Sequence, residues 1–204
     1  MRLFHAPGSC SLGIRVLLEE IGAPYDLTVI DLATAGQRDP AYLAMNPKGK
    51  VPALMRDDGS VLTEFPAIAL WLAREFPAAG LWPTDREGEV RTLELLDFLV
   101  ASLHMRGFTL ALVPGKFVPD PAAQDALRAH GLGVVRDGLA QVAARLGDAP
   151  YLNGERPGVT DAALFYQMLW AARLQIELPA PLAGFTQRMM TRDAVRRALD
   201  SAAA

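Results

Sequence analysis

The chain has 204 residues, 51% hydrophobic and 21% charged, with a formal net charge of −3. That balance describes a globular protein with apolar material for one compact unit or two small ones. The acidic excess gives no electrostatic reason to expect nucleic acid or an anionic membrane as a partner.

No uninterrupted apolar run is long enough to span a bilayer, and the opening residues, stopped by Pro7 and Gly8, lack the apolar centre of a secretory leader. The only cysteine, Cys10, cannot close an intramolecular disulfide, which points to a reducing, cytoplasmic compartment. In chain order, Leu3-Phe4-His5 reads as a strand ended by Pro7-Gly8. Ile14, Leu17, Leu18 and Ile21 then fall at helical spacing, with Gly22 and Pro24 as the stop. Leu27 to Ile30 reads as a second strand, so the opening is β-α-β. Ala33 to Pro40 carries no periodic signal. Two short runs, Pro52 to Met55 and Ser60 to Thr63, flank Asp57-Asp58-Gly59 as a hairpin. Pro66 suits the first turn of a helix bearing Ile68, Ala69, Leu70 and Leu72.

From Phe76 to Asp85 two prolines and a glycine mark a linker, and everything beyond it has helical periodicity. One seam runs through Leu93, Leu96, Val100 and Leu103. A second runs through Leu127, Gly131, Val134, Gly138, Val142 and Leu146, and a third through Leu164, Phe165, Met168, Leu169 and Ala172. Glycines inside a helix cost about 1 kcal/mol each against alanine, so those of the second seam predict a closely packed neighbour. The resulting division is an α/β unit over residues 1–77, a linker over 78–86 and an all-helical unit over 87–204.

Cys10 lies between the first strand and the first helix, flanked by Ser9 and Ser11. A helix start offers unpaired N–H groups and a partial positive charge, both of which stabilise a thiolate. The two serines can cap the helix or donate to a sulfur anion. A free cysteine is also an ordinary small buried hydrophobe, and position alone leaves the two readings open. There is no second cysteine for dithiol chemistry, no zinc-ligand spacing and no Walker A loop, and Gly131-Leu132-Gly133 is not a dinucleotide fingerprint.

Three segments carry a resemblance: Pro7 to Leu12, Asn46 to Leu54, and Leu62 to Ile68. In this order and spacing they resemble the thioredoxin-like domain of bacterial, beta-class-type glutathione transferases, and the likeness continues through Leu103-His104 and Gly154 to Asp161. It implies a thioredoxin-like domain followed by an all-helical domain, a two-fold homodimer, and glutathione as cosubstrate with no metal. Residue by residue, it implies a cis Val51–Pro52 bond, with the backbone of Val51 pairing glutathione's cysteinyl group. It implies Glu64 and the N–H of Phe65 at the γ-glutamyl end, where the usual serine hydroxyl is missing. Losing that hydrogen bond weakens binding by about 1.5–3 kcal/mol.

The resemblance further implies catalytic roles for Cys10 and His104 and a ligand-binding role for Asp97, where the family tends to have asparagine. Glu94, Asp97, Ala101 and His104 also follow helical spacing beside the first seam. The family's lysines in the Ala33–Arg38 loop and after His104 are absent, leaving Arg106 as a nearby cation. Asp161 matches a helix-capping position with Gly158 in place of the capping hydroxyl. His5 and His130 read as structural or exposed.

The implied activity is conjugation of glutathione to hydrophobic electrophiles, reduction of glutathione mixed disulfides through a Cys10 thiolate, or both. The alternatives are a non-catalytic binding protein on the same scaffold, and a glutathione-dependent isomerase or dehalogenase.

Overall fold

The computed structural model describes residues 1–200. Its contacts group the chain into two compact units, Met1–Trp82 together with the segment from Met189 onward, and Pro83–Arg188. The last helix and the end of α8 (Ala180–Thr191) therefore group with the first unit, whereas helical periodicity alone places them with the second.

The first unit is built on a four-stranded sheet of order β2-β1-β3-β4, comprising β1 (Arg2–His5), β2 (Asp26–Val29), β3 (Ala53–Met55) and β4 (Val61–Thr63). β1 runs parallel to β2 and antiparallel to β3, and Leu3 stands opposite both Leu27 and Leu54. The parallel pair needs a crossover, which α1 (Ser11–Ile21) supplies. Gly22 ends α1 in the left-handed conformation at φ 72°, its N–H bonded to the carbonyl of Leu18.

The unassigned stretch before Asn46 contains α2 (Pro40–Met45), a helix the sequence pattern does not reveal. Asp39 caps it by accepting the Ala41 N–H at 2.8 Å, and Pro40 occupies its first turn. With only six residues, it is too short for an apolar stripe to repeat. α3 (Phe65–Glu75) follows the hairpin. On one side of the sheet Phe4, Ile30, Tyr42 and Ala53 form a core against which Val51, Met55 and Val61 pack.

The chain's last described helix, α9 (Asp193–Leu199), packs on α1. Arg15, only 4% exposed, donates to the carbonyls of Arg197 and Asp200 at 3.2 and 3.1 Å. Glu20 takes Arg192 in a two-pronged ion pair at 2.6 and 2.8 Å, and Glu19 takes Arg197 at 2.7 Å. Both carboxylates belong to α1 and are partly screened from water, so the two helices are tied by charge as well as by packing.

The second unit opens with a 27-residue helix, Arg86–Leu112, formed by α4 (Arg86–Asp97), a π-helical stretch (Phe98–Phe108) and α5 (Thr109–Leu112). By length and composition this helix could cross a membrane, a property that a search for uninterrupted apolar runs does not register. In this unit its residues Leu95, Leu96, Leu99, Leu103 and Phe108 are buried, and the π stretch packs on α6 (Pro121–Leu146) and α7 (Val159–Arg173). The first seam is therefore corrected. Leu93, which precedes the π stretch in α4, is 51% exposed, and the buried face of the helix runs instead through Leu95, Leu96, Leu99 and Leu103. The third seam loses Ala172, which is exposed, since α7 is buried on nearly every side from Val159 to Met168.

The helical glycines of the second seam have the close neighbour the sequence asks for. A Cβ at Gly131 would lie 2.7 Å from the carbonyl oxygen of Gly107 and 2.7 Å from the N of Ala111, whereas one at Gly133 would meet nothing within 4 Å. Gly131→Ala is therefore expected to destabilise the protein by about 1–2 kcal/mol, overpacking outweighing the gain in helix propensity. Gly133→Ala is expected to stabilise it by up to about 1 kcal/mol. Denaturant unfolding of the two variants decides the matter, and equal effects would contradict the packing account.

Candidate functional site

The first unit brings together Cys10, Val51, Lys48 and Glu64. Cys10 immediately precedes α1 at φ −61° and ψ −19°. The side-chain cap comes from its neighbour, the hydroxyl of Ser9 accepting the Ser11 N–H at 3.2 Å. The Cys10 thiol donates to the carbonyl of Val51 at 3.6 Å, and the Val51–Pro52 peptide is cis.

Residues 46–50, which lead to that peptide, are held by buried polar groups. Tyr42 Oη and Asn46 Nδ2 both donate to the carbonyl of Lys50, at 2.7 and 2.8 Å, and Asn46 Oδ1 accepts the Lys48 N–H at 3.2 Å. Gly49 sits at φ 57°, where a side chain would also press on the carbonyl of Gln37.

The electrostatics of Cys10 correct the sequence expectation. Although the residue is half-buried, burial of its sulfur pushes the thiol up to about 12. Backbone N–H groups at the helix start and Lys50 pull the value down, while Glu64 adds to the rise. The helix end contributes in the expected direction, but loss of hydration exceeds it. In the ligand-free protein at neutral pH, residue 10 is a thiol that donates, not a thiolate.

Glu64 occupies an unusual backbone position for a residue with a side chain, φ 71° and ψ 125°, at the N-cap of α3, where its carbonyl accepts the Ile68 N–H at 3.0 Å. Such conformations cost of order 1–3 kcal/mol and concentrate at ligand-binding sites. The Glu64 carboxylate pairs with Lys48 Nζ at 2.7 Å, and the same ammonium donates to Thr63 Oγ1 at 2.9 Å. Lys48 lies within the Asn46–Leu54 segment, but sequence reasoning gives it no role. Its signal is the matching charge 16 residues from Glu64, across a hairpin whose register only the fold reveals. The Phe65 side chain is buried, only 4% exposed.

The other two expected site residues lie on the second unit. Asp97 is the exposed last residue of α4. His104, in the π stretch, shares a hydrogen bond of 3.1 Å between its Nδ1 and Tyr166 Oη and stands edge-on to Trp170 at 4.8 Å between ring centroids. Gln167 Nε2 donates to Tyr166 Oη at 3.4 Å and to the carbonyl of Leu99 at 3.0 Å. Sequence reasoning does not connect Tyr166 and Trp170 with His104, because in α7 they are hidden among apolar residues at every helical position.

Comparison with known proteins identifies the family. Residues 8–75 fit the model of the glutathione S-transferase N-terminal domain. Over 98% of both chains the protein is 35% identical to glutathione S-transferase GstA of Escherichia coli O157:H7. The chain belongs to the glutathione S-transferase family. A glutathione transferase homologue from Sulfitobacter, solved with bound glutathione, superposes with a TM-score of 0.91 at 28% identity, over 100% of this chain and 98% of that one. The bacterial beta-class enzyme of Sphingomonas chungbukensis gives 0.84 at 34% identity, over 98% and 97%. The family also reaches isomerases: maleylacetoacetate isomerase of Pseudomonas aeruginosa is 30% identical over 83% of this chain and 80% of its own. The glutathione S-transferase fold, a thioredoxin-like N-terminal unit with a helical one after it, is thus the fold of this transferase.

Proposed function

We propose that this glutathione S-transferase conjugates glutathione to hydrophobic electrophiles, with glutathione's own thiol as the nucleophile and the Cys10 thiol as a hydrogen-bond donor beside it. The observation that supports this reading is the grouping of Cys10, the cis Val51–Pro52 peptide and Glu64 in the first unit. The Val51 backbone suits glutathione's cysteinyl amide, and Glu64 suits its ammonium group, with Lys48 close enough to share the charge. A neutral Cys10 makes mixed-disulfide reduction through this residue the slower route at neutral pH, since the thiolate is the attacking form.

The same reading takes the protein as a cytoplasmic homodimer acting in detoxification. Its lone half-buried cysteine supports a reducing compartment. Val90 and Leu93, apolar and 55% and 51% exposed on α4, support association of two copies.

Reduced glutathione at millimolar concentration is expected to raise the thermal midpoint, and Glu64→Ala to weaken binding about tenfold through the lost charge-assisted bond. Cys10→Ala is expected to lower conjugation of a chloronitrobenzene about tenfold while the thermal shift persists. Parallel His104→Ala and Asp97→Ala variants test the roles the family likeness gives them. Absence of any thermal shift would overturn the reading in favour of a non-catalytic scaffold. Turnover of a cis-dienoic acid without conjugation would favour the isomerase alternative.

A further inference from the structure

His5 is a titratable group that the proposed chemistry leaves unused, and it is buried, 3% exposed, at the end of β1. Its Nδ1 lies 2.7 Å from the hydroxyl of Ser11, which is itself fully buried. That hydroxyl lies 2.6 Å from the hydroxyl of Ser9. Three side chains thus form an unbroken line from the interior to the residue adjoining Cys10.

Counting protons fixes what the line can do. Ser11 Oγ has one proton and two lone pairs. One lone pair is taken by the Ala6 N–H at 3.1 Å, so its two short partners, Ser9 and His5, must be one donor and one acceptor. The carbonyl of Ala6, at 3.4 Å, is a poorer competitor for the proton. If His5 carries its proton on Nε2, Ser11 donates to Nδ1, Ser9 donates to Ser11, and the outward face of Ser9 is a lone pair. If the proton sits on Nδ1, His5 donates to Ser11 and Ser11 donates to Ser9. Both lone pairs of Ser9 are then filled, by this bond and by the Ser11 N–H at 3.2 Å, and its own proton must point outward.

We propose that His5 and Ser11 are positioning residues that, through the Nδ1–H tautomer of His5, aim the Ser9 hydroxyl outward as a hydrogen-bond donor to the sulfur of bound glutathione. The inference rests on the glutathione reading above. Only the second arrangement offers a proton to a sulfur anion, so formation of the thiolate favours that tautomer. The relay transfers no net proton. Burial, with Arg15 acting in the same direction, lowers His5 to about 4, too weak a base to keep a thiol's proton, which therefore leaves to solvent. Desolvation that makes His5 useless as a base keeps it neutral and able to choose between tautomers.

The first test uses the unaltered, nitrogen-15-labelled protein with glutathione bound. Histidine ring spectra are expected to show the His5 proton on Nδ1, and a proton on Nε2 would overturn the relay. The second test follows thiolate absorbance of bound glutathione against pH. Ser9→Ala is expected to reduce the thiolate fraction about tenfold at a given pH below the midpoint, with affinity nearly unchanged. His5→Leu, which removes the bond that forces the Ser11 proton toward Ser9 but leaves Ser11 able to donate there, should produce a smaller reduction, the double variant no more than Ser9→Ala alone, and His5→Asn, whose amide can donate in place of Nδ1–H, should restore it. An unchanged titration in Ser9→Ala, or additive shifts in the double variant, would overturn the proposal while leaving glutathione binding intact. Failure of the unaltered protein to bind glutathione would remove both readings together.

Discussion

Asp161→Ala is expected to destabilise the protein by about 3–5 kcal/mol, well beyond the effect expected of either glycine substitution in α6. The Asp161 carboxylate is fully buried at the start of α7 and accepts three backbone N–H groups, from Leu152 at 2.7 Å, Asn153 at 3.1 Å and Gly158 at 2.9 Å. An orphaned buried donor costs about 1–3 kcal/mol, and alanine would remove the carboxylate from the buried Gly158 N–H and from the half-buried N–H groups of Leu152 and Asn153. Gly158 has no side chain to reciprocate, so the reach-back of Asp161 is the only side-chain half of this cap.

Burial, opposed by those same amides, raises the carboxyl from 3.8 to about 6. The sign follows from linkage. The native state holds this proton more tightly than the unfolded chain, so the group's stabilising contribution is complete below about pH 3.8 and is lost as pH rises through about 6. The cost of Asp161→Ala should therefore be larger at pH 4 than at pH 7. Chemical denaturation at the two values measures it, and a pH-independent cost below about 1 kcal/mol would contradict the account.

The second large effect concerns Cys10. With its thiol at about 12 rather than 9.0, three units apart, the thiolate fraction at neutral pH falls about a thousand-fold. Alkylation of Cys10 by iodoacetamide in the ligand-free protein is expected to be slower by that factor than in the denatured chain. It should rise about tenfold per pH unit without levelling below about pH 9. Stability follows the same shift: the contribution of Cys10 is complete below about 9 and is lost as pH climbs toward 12. Alkylation as fast as that of an unfolded cysteine would restore the thiolate that the sequence leads one to expect.

That reversal marks where sequence reading succeeds and where it stops. The strands at Leu3, Leu27, Leu54 and Leu62 and the helix from Ser11 are legible because period and punctuation agree: Pro7-Gly8 and Gly22 stop what the apolar spacing starts. Cys10 stands out because it lies between the first strand and the first helix, whereas Val51 and Glu64 enter only through the family resemblance. The sign of the net effect on the Cys10 sulfur is not legible, since it compares a helix end, which sequence reveals, with desolvation by residues distant in the chain. The Lys48–Glu64 pair depends in the same way on hairpin register. In the second unit, the apolar template misplaces Leu93 because Leu93, Leu95 and Leu96 are all apolar and spacing alone does not say which of them face the neighbouring helices, and nothing in Phe98–Phe108 announces a π stretch. Gly131, by contrast, is informative, because a glycine retained inside a helix has few explanations other than close approach of a neighbour.

The fastening of α9 to α1 has a consequence for how the protein is made. Translation delivers residues in order, and early domains usually fold while later ones are still being synthesised. Here the helix beginning beside Cys10 reaches its final surroundings only when Arg192, Arg197 and the carbonyl of Asp200 arrive, after the second unit has been made. Until these residues emerge from the ribosome, Arg15 is a cation lacking these acceptors, in a place where an uncompensated charge is costly. The unit begun first is completed only after the second has been made.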